Sequence, residues 1–148
     1  MDTLTKILQS PEDMQHEAVA FIEALAPETH SATLITLSGD LGAGKTTFTQ
    51  FVAQALGVEG IVNSPTFVIE KVYSIPEGQK FQRLVHIDAY RLKDAGELTV
   101  LGFGEVMSHA GTLIFMEWPE NVIGISEQAA IRIMLETLPD GSRQITYA

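Results

Sequence analysis

Residues Gly39 to Thr46 read G-D-L-G-A-G-K-T, a complete fit to the phosphate-binding pattern G-x-x-x-x-G-K-[ST]. The residue types state the chemistry. Glycines at 39, 42 and 44 let backbone N–H groups turn inward around phosphate oxygens. Lys45 neutralises the β- and γ-phosphates, and the Thr46 hydroxyl is a ligand for Mg²⁺. Asp40, Leu41, Gly42, Ala43, Gly44, Lys45, Thr46 and Thr47 are the expected nucleotide contacts. The pattern predicts a nucleoside triphosphate site.

Hydrolysis needs more than this loop: a carboxylate for the metal and a group that orients water. Two apolar runs end in an acid, Leu84-Val85-His86-Ile87-Asp88 and Leu113-Ile114-Phe115-Met116-Glu117. An acid at the carboxyl end of a buried strand is the Walker-B arrangement, so Asp88 and Glu117 are both candidates. Between them and the loop lies Asn63-Ser64-Pro65-Thr66-Phe67. Pro65 favours an extended Ser64, and Thr66 offers a hydroxyl toward the γ-phosphate or Mg²⁺, as a switch threonine does. An ordinary Ser-Pro turn into a strand accounts for the same letters. His86, Asp88 and Tyr90 share one parity and hence one face of a strand, a placement that packing alone also explains for the histidine. His16, His30 and His109 have no ligand spacing and receive no role. Trp118, the single tryptophan, sits beside Glu117 and either covers the site or packs in the core.

The elements that must position these groups are readable around them. Thr33 to Leu37 is a β-prone apolar run leading into the loop, and Phe48, Phe51, Val52, Ala55 and Leu56 recur at helical spacing after it, with Gly57 as the stop. Leu4 to Leu8 reads as a short strand. Ser10-Pro11-Glu12-Asp13 opens a helix with an N-cap, a proline at N1 and acids in the first turn. Met14, Ala18, Phe21, Ile22 and Leu25 form its apolar stripe, and Pro27 ends it. Thr66 to Ser74 and Phe81 to Ala89 read as a hairpin around Pro76-Glu77-Gly78. Asp94 to Leu101 reads as a short helix and Thr112 to Met116 as a buried strand. Ala130 to Thr137 and Arg143 to Tyr147 form a last hairpin through Pro139-Asp140-Gly141-Ser142. The fold class is α/β: a small P-loop NTPase with a mixed, mainly parallel central sheet and antiparallel edge hairpins, one domain over residues 1–148.

Composition narrows the partners. The chain has 148 residues, 45% of them hydrophobic and 19% charged, enough apolar residues for a real core. No apolar run approaches the eighteen or so residues of a membrane span, and Met1-Asp2-Thr3 lacks a signal peptide's basic start, so a cytoplasmic protein with no membrane partner is expected. There is no cysteine, hence no disulfide, zinc knuckle or thiol nucleophile. The net charge of −10, with nine scattered basic residues, argues against direct binding to DNA or RNA. A nucleic-acid role would run through a partner.

Together the blocks resemble the bacterial TsaE ATPases, which support threonylcarbamoyladenosine biosynthesis on tRNA. The resemblance runs from the Ser-Pro-Glu-Asp helix start to about Thr137. It is carried by Gly39 to Phe48, Ser64-Pro65-Thr66-Phe67, His86-Ile87-Asp88-Ala89-Tyr90-Arg91-Leu92 and Glu117-Trp118-Pro119-Glu120, with Glu97-Leu98 and Leu101-Gly102 between the last two. The P-loop alone identifies no family, whereas four blocks in this order are specific. The resemblance implies an ATP-dependent protein with Mg²⁺ held by Thr46 and Glu117, and Asp88 as a functional acid near the γ-phosphate. It implies work with TsaB- and TsaD-like proteins, tRNA being reached only through that complex. One departure is visible: Thr49-Gln50-Phe51 stands where the family often carries an Arg-Gly pair, which weakens transfer of a partner contact through that helix. The expected catalytic residues are Asp88, Lys45 and Thr66. Two other readings fit a P-loop on a small α/β domain: a small-molecule kinase, against which four unclustered arginines count, and a nucleotide-gated binding module.

Overall fold

The computed structural model describes residues 3–60 and 69–148. Seven strands form one sheet: β1 (Leu4–Leu8), β2 (Thr33–Ser38), β3 (Glu70–Ser74), β4 (Arg83–Asp88), β5 (Thr112–Glu117), β6 (Ile131–Thr137) and β7 (Arg143–Tyr147), in the order β1-β7-β6-β2-β5-β4-β3. The four central strands β6, β2, β5 and β4 are parallel, and β3, β7 and β1 extend the sheet antiparallel at its two edges. Four parallel strands bring their carboxyl ends to one rim, and there an α/β sheet binds ligands.

Two layers cover the sheet, and strand parity sorts the side chains between them. Ile35, Leu37, Leu84, Leu113 and Phe115 face helices α1 (Pro11–Ala24) and α2 (Lys45–Ala55). Leu34, Val85, Ile87, Ile114 and Met116 face the short helices α3 (Ala95–Val100) and α4 (Phe103–Met107) and the 3₁₀ turns around Pro119 and Ile125. On the first face Phe48 of α2 stacks at 6.4 Å on Phe115 of β5, and Phe21 of α1 meets both rings. Each such buried side chain stabilises the layer by roughly 1.5–3 kcal/mol.

Local signals set the helix ends. The Ser10 hydroxyl accepts from Asp13 N–H at 3.1 Å while the Asp13 carboxylate reaches back to Gln9 N–H at 2.8 Å. Helix α1 has no basic residue in its last turn, and Lys80, from the β3–β4 turn, donates instead to the carbonyls of Ile22, Glu23 and Leu25. The stripe Met14, Ala18, Phe21, Ile22 and Leu25 is buried throughout, and Gly57, at φ 80°, ends α2.

The sheet and both hairpins match the expected class. Some details differ. Asp94 is the N-cap of α3, its side chain accepting from Glu97 N–H, rather than a helical residue. A second short helix, α4, follows Leu101 because Gly102 turns the chain at φ 80° and restarts it. The return strand is Arg83–Asp88, shorter than Phe81 to Ala89. The hairpin's first strand is described from Glu70, and Thr66 to Val68 lie outside the described residues.

Candidate functional site

The loop from Gly39 to Gly44 leaves the carboxyl end of β2 and delivers the chain into α2, whose first residue is Lys45. Gly39 stands at φ 146° with its Cα against β6: a Cβ there would press into the backbone carbonyl of Leu135. Gly44, at φ 105°, is the N-cap of α2 and offers no side chain, so the unpaired N–H groups of the first turn stay open to an anion. Asp40 and Leu41 are exposed at the tip, Leu41 by 74%. Ala43 is buried, with its N–H turned back to the Asp40 carbonyl at 3.1 Å.

Parity and register bring the acids to this loop. Asp88 and Glu117 are paired across β4 and β5 and share the face that carries Leu84, Leu113 and Phe115, the face covered by α2. The Thr46 hydroxyl donates to Glu117 at 3.2 Å and 3.3 Å from its two carboxylate oxygens. Glu117 is buried, and His86 Nε2 lies 2.5 Å from its Oε2. Asp88 sits at the mouth, half-buried, where its Oδ1 accepts from Tyr90 N–H at 3.0 Å. Asn121 holds the two acid-bearing strand exits together, donating to the carbonyls of Ala89 and Tyr90 at 3.0 Å each, and Ala89 N–H donates to the Glu117 carbonyl.

Lys45 is buried at the centre of these groups. Its ammonium donates to the Gly39 carbonyl and stands 3.5 Å from the centroid of the Trp118 ring. Burial holds it below the usual lysine range, outweighing Glu117, Glu120, Asp88 and Asp40, which all favour the charged form. Trp118 takes φ 60°, the one positive φ outside glycine among the described residues, and its ring also meets Tyr90 at 5.0 Å. A left-handed residue directly before a proline is sterically costly, and such strain concentrates at functional sites.

Two clefts flank the loop. One, about 590 Å³, runs from Asp40 and Trp118 to the end of β6 and carries Asp40, Glu120 and Glu136. The other, about 370 Å³, lies between the start of α1, Gly44, Thr47 and the β6–β7 turn, with Leu8, Pro11, Met14 and Arg143 on its walls. The donor set at Thr46 and Glu117 is one hydroxyl and one carboxylate, hard oxygens that suit Mg²⁺. Among the described residues no cluster of three or more acids or histidines forms a protein-only cage. Mg²⁺ in nucleotide sites takes one or two carboxylates and completes its shell with phosphates and water, so these residues fit it.

Of the expected residues, the structure brings Lys45, Thr46, Asp88 and Glu117 to one place. Thr66 lies outside the described residues. His86, Asn121 and Arg143 were not among the expected site residues. Parity had put His86 on the face of Asp88, but the contacts of all three depend on strand register and turn packing between distant segments.

Comparison with known proteins adds its own findings. The profile of the family described as "Threonylcarbamoyl adenosine biosynthesis protein TsaE" matches residues 8–145. A Bacillus subtilis protein named tRNA threonylcarbamoyladenosine biosynthesis protein TsaE is 37% identical over 131 residues, covering 88% of this chain and 78% of that one. A Haemophilus influenzae protein of the same name is 33% identical over 141 residues, covering 95% and 86%. The crystal structure of Bacillus subtilis YdiB superposes with a TM-score of 0.73 at 30% identity, over 99% of this chain and 84% of that one.

Proposed function

This chain belongs to the TsaE family, and on that premise we propose that it is a Mg²⁺-dependent ATPase supporting threonylcarbamoyladenosine modification of tRNA. It works with TsaB- and TsaD-like partners, in the cytoplasm, as a single ATPase domain over its 148 residues. The observation that carries the reading is the contact between Thr46, first turn of α2, and Glu117, end of β5. A P-loop hydroxyl against a strand-end carboxylate is the pair that holds the metal in P-loop NTPases.

The roles follow from position. Open backbone N–H groups of the loop and of the first turn of α2 surround the phosphates, and Lys45 exchanges the Gly39 carbonyl and the Trp118 face for phosphate oxygens. Thr46 and Glu117 hold Mg²⁺, which when bound neutralises charge on the phosphates. Asp88, whose carboxylate is oriented by the Tyr90 N–H, positions the attacking water. Thr66 senses the γ-phosphate. The nucleoside occupies the cleft beside Met14 and Arg143: it is the more apolar of the two and carries a cation, whereas the acids of the larger cleft repel phosphate.

Arg83 is bound to Thr112, Arg132 to the Ser126 carbonyl and Arg143 to the Gly141 carbonyl, and Arg91 is not free of contacts either. A P-loop enzyme lacking an arginine finger runs roughly three to five orders of magnitude slower, so completion by a partner is expected. Phosphate release, measured with each component added separately, tests the proposal. Slow basal hydrolysis, stimulated by the TsaB–TsaD pair but not by tRNA alone, is expected. Fast turnover by the isolated chain, indifferent to the pair, would refute it.

A further inference from the structure

We propose that His86 is a positioning residue for the metal carboxylate: its Nε2–H holds Oε2 of Glu117, so that Oε1 and the Thr46 hydroxyl are presented to the cation. The inference rests on the Mg²⁺–ATP reading above.

Position 86 is fully buried in the centre of β4, among Leu84, Val85 and Ile87, where packing alone favours a hydrophobic side chain. A buried imidazole must give up its hydration, and it stays only where a partner compensates. Here its single hydrogen bond among the described residues goes to Glu117, at 2.5 Å, and Nδ1 has no partner among them. The ring uses the nitrogen that faces the carboxylate, and a carboxylate, which only accepts, requires a proton on that Nε2.

Register explains how it gets there. Asp88 is the residue directly beside Glu117 on the neighbouring strand, and His86 is one pleat further in on the same face. Glu117 is thus gripped from below by His86 and from α2 by Thr46, while Asp88 is left at the mouth. A glutamate has three rotatable bonds. Thr46, which donates to both oxygens at similar distance, does not distinguish them. His86 contacts only Oε2 and so selects which oxygen is left for the cation. Partners that hold a ligating carboxylate typically contribute 10–100-fold to metal affinity.

The test compares full-length wild type with His86→Leu, which fills the space without a donor, and His86→Gln, which returns an N–H. Binding of Mn²⁺ is followed by the water-proton relaxation enhancement that the protein adds over a protein-free Mn²⁺–ATP blank, and ATP affinity is measured in EDTA by calorimetry. Neither readout requires hydrolysis. His86→Leu should weaken Mn²⁺ binding 10–100-fold, leave metal-free ATP affinity within about twofold, and His86→Gln should restore most of the loss. Should the leucine variant not fold, His86→Asn, whose amide falls short of Glu117, carries the same expectation. Unchanged Mn²⁺ affinity in folded His86→Leu or His86→Asn overturns the role of His86 and leaves the ATPase reading intact. Wild type that binds ATP no better with Mn²⁺ than without overturns both.

Discussion

Substituting Gly39 with alanine separates two demands that the P-loop motif merges. At φ 146° an alanine occupies backbone space that is essentially reserved for glycine, which costs about 1–3 kcal/mol. Its Cβ also presses into the carbonyl of Leu135, which belongs to β6 and cannot swing away as a side chain would, adding about 1–3 kcal/mol of overpacking. Gly42 is the matched control: it stands at φ 81°, and a Cβ there meets nothing within 4 Å. Only strain, roughly 1 kcal/mol, is expected for Gly42→Ala. At roughly 2–4 °C per kcal/mol for a domain of this size, Gly39→Ala should melt roughly 10 °C below wild type and Gly42→Ala only a few degrees below. Relieving the overlap moves the loop on the order of 1 Å, enough to reduce turnover about 10²-fold. Calorimetric melting and ATP titration of both variants supply the comparison. Equal destabilisation by the two alanines would refute the packing of the loop on β6.

Lys45→Ala should remove most ATP affinity and abolish turnover, whereas Thr46→Ala should spare metal-free ATP binding and remove its Mg²⁺ dependence; titration with and without the metal distinguishes them. Asp88→Asn should retain ATP binding and lose at least about 10²-fold in hydrolysis, read by single-turnover phosphate release. Lys80→Met, which strips the three carbonyls at the end of α1 of their donor, should lower stability by about 1 kcal/mol in urea without altering ATP affinity. Burial first, then Glu17 beside it, pushes the Tyr147 hydroxyl above the usual tyrosine range. A raised folded value means stability that is complete below the unfolded value near about 10 and declines above it. Tyr147→Phe should therefore cost about 1–2 kcal/mol near neutrality, and the gap to wild type should narrow as pH rises past about 10. A gap constant to pH 11 or so would contradict this.

What the sequence disclosed depended on how local each constraint is. The P-loop, the N-cap at Ser10 and the stop at Gly57 are set by neighbours a few residues away, and all three stand as expected. Strand parity reached further: it put Glu117 and Asp88 at the ends of buried strands, and the sheet then paired them directly. It placed His86 on the face of Asp88 but could not say that Glu117 was within reach, because that distance is a property of the β4–β5 register. Asn121 and the carbonyls of Ala89 and Tyr90 that it holds are 32 and 31 residues apart, beyond any periodicity. Helix α4 escaped because five residues give too little pattern, and the glycine that starts it reads equally well as a stop.

The tryptophan poised over Lys45 gives the molecule an optical property. It is the chain's only indole, so emission excited at the red edge of protein absorption comes from one ring. An ammonium 3.5 Å from that ring's centroid perturbs its excited state through charge, and the effect falls steeply with separation. Any anion that draws the lysine toward the loop alters intensity and colour together. The native protein thus carries its own label on the cation that phosphate must recruit, and stopped-flow emission can time that movement with no dye attached.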